Sequence, residues 1–463
     1  MKLFNFFLIL AAVMVSAVSM GWAQAPDLMW TRTVGGIRYD EAESVQQTSD
    51  GGFIVGGLTT PSAGNEDFYV VRLDADGDTL WTRRLGGLRV ERCYSVIETN
   101  DGGFAAAGYT ETYGVDSSDF WLVKLNASGD SLWSQTYGGT SLDICYMVIE
   151  TADLGFALIG RTTSFSGAGD SDYYLVKTDA SGNTQWTKRY GGTNFELGWC
   201  VTETSDGGYA LAGRTMSFGA GNEDFWLVKT NASGDSLWSH TYGGTQLERC
   251  YVVEEVVDGY ALGGHTRSFG AGGTDYWLVK TDLSGNLLWS RTYGGASDDA
   301  GYFMRKTMDE GFVLTGASYS FGINADMWIV KTNDGGDSLW SFAQGGGLQD
   351  AGYWIEQTTD GGYVSAGSTL SFGAGSSDMY VVRLGPDGPV YVPQNVVVQP
   401  FGGTDLRLAW ETDGSQHYRV YSDSDPEGAF TTFVTTTPDT SVVLTNGAAA
   451  AKLFYVVKGN RIP

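Results

Sequence analysis

The chain is 463 residues long and carries 54 acidic against 28 basic side chains, a formal charge of −26. Charged residues make up only 18% and aromatics 13%, which supplies material for a core and excludes a disordered acidic tail. So negative a chain repels phosphate backbones, which excludes a general nucleic-acid binder.

Residues 1–23 predict a signal peptide: Lys2, an apolar run from Leu3 to Val18, then small residues at Gly21 and Ala23. Cutting after Ala25 would leave Pro26 at the new N-terminus, so the expected cut follows Ala23. The alternative is an uncleaved anchor, for which the apolar run is short. No later stretch is long and apolar enough to span a bilayer, and no Cys follows the run to accept a lipid. The mature protein is therefore expected outside the cell or at its surface, with no transmembrane segment.

Tryptophans then recur at Trp30, Trp81, Trp133, Trp186, Trp238, Trp289 and Trp340, at intervals of 51 to 53 residues. Five residues after each begins a Gly-Gly pair, first at Gly35. A turn led by Asp50, Asp101, Asp153, Asp206, Asp258, Asp309 or Asp360 follows, and then a DFWLVKT-like segment. In the fourth unit CVTET is strand a, YALAGRT strand b, DFWLVKT strand c and SLWSHTY strand d, with turns at SDGG and NASGD. Seven four-stranded units predict an all-β, seven-bladed β-propeller over 24–391, with a solenoid as the alternative. Seven sets of strands a to c need seven d strands, and the strand around Trp30 is free to complete the last blade. The competing strand is Pro389 to Val392, which lacks the Trp.

The pattern WTKRYGG, DGGYALAGRT, DFWLVKT and ASGDSLW resembles repeats of secreted bacterial and archaeal proteins over residues 30–388. That resemblance implies an extracellular propeller-like fold and no single activity. The DASGN segment ahead of Trp186 also looks like the Trp-docking repeat of quinone-dependent dehydrogenases. Those enzymes typically have eight units and often a vicinal Cys pair, and this chain has seven and no adjacent cysteines. From residue 392 to 463, DLRLAWE, HYRVYSD, TSVVLT and KLFYVVKG resemble a fibronectin type III module, with Trp410, Tyr418 and Tyr455 as its core aromatics.

Repeats separate scaffold from site. Asp40, Glu91, Asp143, Glu196, Glu248, Asp299 and Asp350 form an acidic column that either rings the tunnel or caps backbone amides of its own blade. Ala42, Cys93, Cys145, Gly198, Cys250, Gly301 and Gly352 form a small column, followed by a large one: Glu43, Tyr94, Tyr146, Trp199, Tyr251, Tyr302 and Tyr353. Strand alternation predicts that the large residue of one blade packs over the small residue of the next. The cysteines are then apolar fillers, with Cys93–Cys145 the candidate for any disulfide. Asp74, Asp76 and Asp78 have calcium-like spacing but lack a downstream bidentate Glu, so no cofactor or metal is expected, calcium there being the alternative.

Strand b ends in variable residues, among them Tyr109, Arg161, Arg214 and His265 from four consecutive blades. They are the candidate ligand-binding residues, a basic and aromatic patch on the longer-loop face, against the alternative of ordinary exposed variation. No nucleophile, metal or phosphate-loop motif occurs, and no catalytic residue is assigned. The expectation is a secreted, non-enzymatic, monomeric scaffold that binds a protein or glycan. The rivals are a carbohydrate-active or other hydrolytic enzyme on the same fold, and a structural part of an envelope assembly.

Overall fold

The computed structural model describes residues 25–166, 170–322 and 324–387, and beyond them only the backbone of six strands between Gln394 and Asn460. The signal peptide, the competing strand Pro389–Val392 and the side chains of Trp410, Tyr418 and Tyr455 lie outside the described residues. No helix among the described residues is long and apolar enough to cross a membrane.

Ala25–Asp387 is one compact unit of seven four-stranded antiparallel sheets. In the first blade β2 (Asp40–Gln47), β3 (Phe53–Ser62), β4 (Asn65–Leu73) and β5 (Thr79–Leu85) pair in chain order as strands a to d. The N-terminal strand β1 (Leu28–Val34) pairs antiparallel with Asp378–Leu384, setting Trp30 opposite Arg383. It thereby supplies the fourth strand of the seventh blade and covers the edge that Asp378–Leu384 would otherwise expose. Strands a of successive blades adjoin one another right round the ring, the seventh beside the first.

The tryptophan period has a direct cause. The strand-d Trp of each blade meets the first aromatic of strand b in the next blade, as in Trp186–Tyr209 (ring centroids 5.9 Å, 68°) and Trp30–Phe53 (5.7 Å, 73°). Such edge-to-face contacts recur at all seven joints. The same indole lies on the c–d turn of that next blade. A Cβ on Gly234, whose φ is +75°, would stand 2.6 Å from the Trp186 ring. The Tyr190 hydroxyl donates to the Gly234 carbonyl at 2.5 Å, fixing the turn from the other side.

The small column packs beneath the preceding blade's strand c. A Cβ on Gly198 would come within 3.0 Å of Tyr173, and one on Gly301 within 3.0 Å of Tyr276. Phe120 and Cys145 share one apolar cluster, and Phe68 and Cys93 another, so the larger Tyr meets Gly and the smaller Phe meets Cys. All four cysteines are buried free thiols.

The repeated charges are paired inside each blade. The strand-c cation reaches the turn Asp seven times, as in Lys229–Asp206 at 2.9 Å and Lys331–Asp309 at 2.8 Å. The cation is buried and the carboxylate mostly exposed. The acidic column caps backbone amides: Gly139 N–H donates to Asp143 at 2.8 Å and Gly192 N–H to Glu196 at 2.8 Å. The first Gly of each pair sits against the strand-c Asp, where a Cβ on Gly138 would overlap Asp119 at 1.8 Å.

Trp186→Ala is expected to lower unfolding stability by about 3 kcal/mol in urea denaturation, and a loss well under about 1 kcal/mol would refute the docking role. Burial raises the Asp119 carboxyl to about 6. Between about pH 4 and 6 the folded chain therefore keeps a proton that the unfolded chain has released, and stability falls as pH rises through that window. Asp101, Asp153 and Asp206 lie at about 2, held down by hydrogen bonds from Thr and Lys against some desolvation. Their contribution is full above about pH 4 and is lost as pH falls toward 2. Asp119→Asn should flatten the urea-midpoint profile between pH 4 and 6 and leave the acid limb in place.

Candidate functional site: one mouth of the central channel

Every strand a carries a bulge at the same place. In the second blade the register slips between Cys93 and Ser95, leaving Tyr94 as the extra residue, and the other six blades repeat this. A bulge sets two residues against one and re-aims a side chain. The bulged residue is always the large column. These residues touch one another round the ring: Tyr94–Tyr146 at 5.1 Å, Tyr146–Trp199 at 4.0 Å, Trp199–Tyr251 at 5.2 Å, Tyr251–Tyr302 at 5.7 Å and Tyr302–Tyr353 at 5.4 Å. This corrects the expectation that large packs over small in the next blade. Strict alternation fails at the bulge, and six aromatics form a collar instead.

Glu43 holds the seventh place, between Tyr353 and Tyr94, and its charge bears on both hydroxyls. Burial, then the neighbouring Glu41, pushes the Glu43 carboxyl well above the usual range. Burial also raises Glu41, which accepts a hydrogen bond from the Tyr39 hydroxyl at 2.6 Å. Neither acid was singled out from the sequence. The available signal was a carboxylate standing in an otherwise aromatic column.

The four sequence candidates share one position, each beside the second residue of strand a: Arg92 faces Tyr109, Ile144 faces Arg161, Leu197 faces Arg214 and Arg249 faces His265. Tyr109 is buried and stacks on Tyr94 (6.2 Å, 29°). Arg161 and Arg214 are half-buried, and their guanidinium carbons lie 5.4 and 5.6 Å from the Phe195 ring. Arg214 pairs with Glu223 at 2.6 Å, a carboxylate it shares with Arg249 at 2.7 Å. Buried His265 lies against Tyr251 (5.4 Å), with Nδ1 3.3 Å from the Gly301 carbonyl. Burial, then Arg249, lowers its pKa to about 4, so it is a neutral ring at pH 7 and adds no charge to the patch. The Nε atoms of Arg161 and Arg214 and the Nε1 of Trp199 are buried with no acceptor.

The channel's other end is built differently. A cavity of about 490 Å³ there is lined by Gln46, Ile97, Ile149, Arg305 and Glu356 among others. Arg305 bridges Glu254 (2.9 Å) and Glu356 (3.5 Å) beneath the stacked rings of Phe303 and Trp354 (3.8 Å). In the 74–78 turn, Asp74 accepts from the Asp76 and Asp78 amides at 3.0 and 2.8 Å, and Asp78 pairs with Arg32 at 3.2 Å. Among the described residues no group of His, Cys, Asp and Glu is arranged to hold a metal ion.

Residues 48–79 match a family model described as a β-propeller domain of unknown function, DUF5122. With its seven blades, the chain is a propeller-repeat protein. The regulatory protein FlaEY of Caulobacter vibrioides is 25% identical over 213 residues, a match covering 38% of this chain and 22% of that protein. The chain thus matches about a fifth of that relative's length. Among solved structures, Sqt1 from Chaetomium thermophilum superposes with a TM-score of 0.43 at 13% identity, covering 83% of this chain and 97% of that one. The Pan2 WD40 domain of Neurospora crassa gives 0.43 at 9%, covering 78% and 97%. Puromycin hydrolase gives 0.44 at 12%, covering 84% and 62%.

Glu43→Gln should raise stability at pH 8 by about 1 kcal/mol, because it removes the cost of ionising a half-buried, poorly solvated acid. At pH 4, where the wild-type carboxyl is already protonated, the gain should vanish. Urea midpoints at the two pH values check this.

Proposed function

We propose that the chain is an exported binding propeller whose ligand, a protein or glycan, docks at the collared mouth of the channel. The observation that carries the reading is the convergence there of a repeated aromatic collar with non-repeated arginines. Six aromatic faces, two half-buried arginines and three buried N–H donors without acceptors meet on blades 2 to 7. Aromatic surface with a few convergent polar groups is the usual composition of a ligand site. The charged repeat columns, by contrast, are consumed inside the blades.

Export, as a monomer through a signal peptide over residues 1–23, belongs to the same proposal. So does a C-terminal fibronectin-III-like module over 392–463 that spaces or docks the propeller. Two three-stranded antiparallel sheets support the module. One orders Gln394–Pro400, Leu406–Glu411 and Ser441–Leu444, and the other Thr432–Thr437, His417–Asp423 and Phe454–Asn460.

A second reading, a glycoside-cleaving enzyme, draws support from Glu41 and Glu43. They are non-repeated carboxyls two residues apart at the mouth, both raised by burial. A carboxyl whose proton affinity is raised by burial is what a general acid in glycoside cleavage requires.

The full chain, probed on glycan and extracellular-protein arrays, should bind a ligand class that Trp199→Ala weakens by about tenfold or more. Absence of any ligand on both arrays would overturn the proposal. Incubation of bound glycans with the wild-type chain separates the two readings. Product release that Glu43→Gln abolishes while binding persists selects the enzyme, and binding without turnover selects the scaffold.

A further inference from the structure

Among the described residues most cations of this acidic chain are paired with a carboxylate, and those that are not, Arg161 apart, are exposed. The strand-c column is paired to the turn aspartates, Arg92 to Glu66 at 2.5 Å, Arg214 and Arg249 to Glu223, and Arg305 to Glu254 and Glu356. Among the described residues Arg161 is the half-buried cation that has no carboxylate within 4 Å. It stands beside a second guanidinium, Arg214, across the Phe195 ring. Arg214, Arg249 and Glu223 together already carry an excess of one positive charge. Two like charges held this close, one of them uncompensated, leave a local deficit of acceptors in a protein with an excess of 26 negative charges.

We infer that the mouth binds a sugar bearing a single carboxylate, a uronic acid within an otherwise neutral glycan, with Arg161 as its carboxylate partner. This inference rests on the binding-site reading above and narrows it. The planar guanidinium fork matches a carboxylate in a way that a point charge does not. The buried Nε of Arg161 has no acceptor within the protein, which leaves it for an acceptor on the ligand. Beside it half-buried Trp199, backed at 4.0 Å by the buried ring of Tyr146, presents an aromatic face to the flat apolar side of a pyranose. The unpartnered Nε1 of Trp199 is a donor suited to a ring or hydroxyl oxygen. An acidic peptide matches the arginine but has neither a flat apolar disc nor a ring of hydroxyls. A polyanion is opposed by the long-range field of the whole chain, and a lone carboxylate on a neutral chain far less so.

The test is isothermal titration of the full chain with three probes. One is an oligosaccharide of xylose carrying one glucuronate, the second is its carboxyl-reduced neutral counterpart, and the third is a peptide ending in Asp-Glu. The acidic sugar should bind about tenfold or more tighter than the reduced one, the loss of one charge-assisted hydrogen-bonded pair. Arg161→Gln should remove that difference and leave the reduced sugar within about twofold, with Arg161→Lys recovering part of it. The comparison of the two sugars on the wild-type chain needs no variant, so a misfolded substitution does not shield the inference. Equal affinity for the two sugars overturns the carboxylate partner and leaves the binding site standing. Tighter binding of the peptide than of either sugar overturns the glycan class. No binding of any probe overturns the uronate inference, while a ligand found on the arrays would still support the broader reading.

Discussion

The fold depends on an indole that belongs to one blade and is half-buried against the next. Trp186 lies at the outer edge of its own sheet, yet its ring is covered by Tyr209 and by the turn at Gly234, both from the following blade. A blade therefore cannot complete its apolar surface alone. Stability passes from neighbour to neighbour, and seven such joints are satisfied together only if the ring closes. Closure is the task of β1, whose Trp30 serves the first blade while its backbone pairs with the last. The Gly at the c–d turn, the Tyr that ties that turn down at four of the joints and the Asp–Lys or Asp–Arg pair inside each blade all support the same joint.

Ring closure brings seven copies of strand a together, and the bulge decides what they show one another. Without it the large residues would alternate into the gaps between blades, where the small column already meets strand-c rings such as Tyr173. With it they gather in a collar. Gly198 and Gly301 lie under Tyr, Cys93 and Cys145 share clusters with Phe, and Gly352 lies against Met327, so side-chain size is matched joint by joint. Within the collar a single exchange is conspicuous. Glu43 replaces an aromatic ring with a carboxyl that desolvation resists ionising. Across the mouth, exchange at the end of strand b puts two arginines where neighbouring blades carry Tyr109, His265, Ala317 and Ser368.

Much of this was legible because repetition multiplies weak signals. One Trp followed by Gly-Gly means little, and seven at a period near 52 define a blade. The closing role of Trp30 followed from counting strands. The acidic column was legible as a set of local caps, because Asp and Glu before a strand readily accept backbone amides. Tyr109, Arg161, Arg214 and His265 emerged together because they occupy one variable column, and the structure does put them at one register position. Less was legible about their state. His265 reads as basic in sequence and is a neutral buried ring in the fold, since its charge is set by desolvation and by Arg249. Arg214 and Arg161 look equivalent in sequence, yet Glu223 neutralises only the first.

The sequence by itself determined the blade count, the strand order and the scaffold columns, because each is enforced by short-range chemistry copied seven times at a fixed period, and it offered the Trp30 strand as one of two candidates for closure. Only the tertiary structure decided which side chains meet at the axis. It alone turned the large column into a collar, isolated Glu43 within it, and left Arg161 without a carboxylate while every other half-buried cation among the described residues found one. Those outcomes depend on a one-residue slip in register and on distances between blades some fifty residues apart, which no local pattern in the chain records.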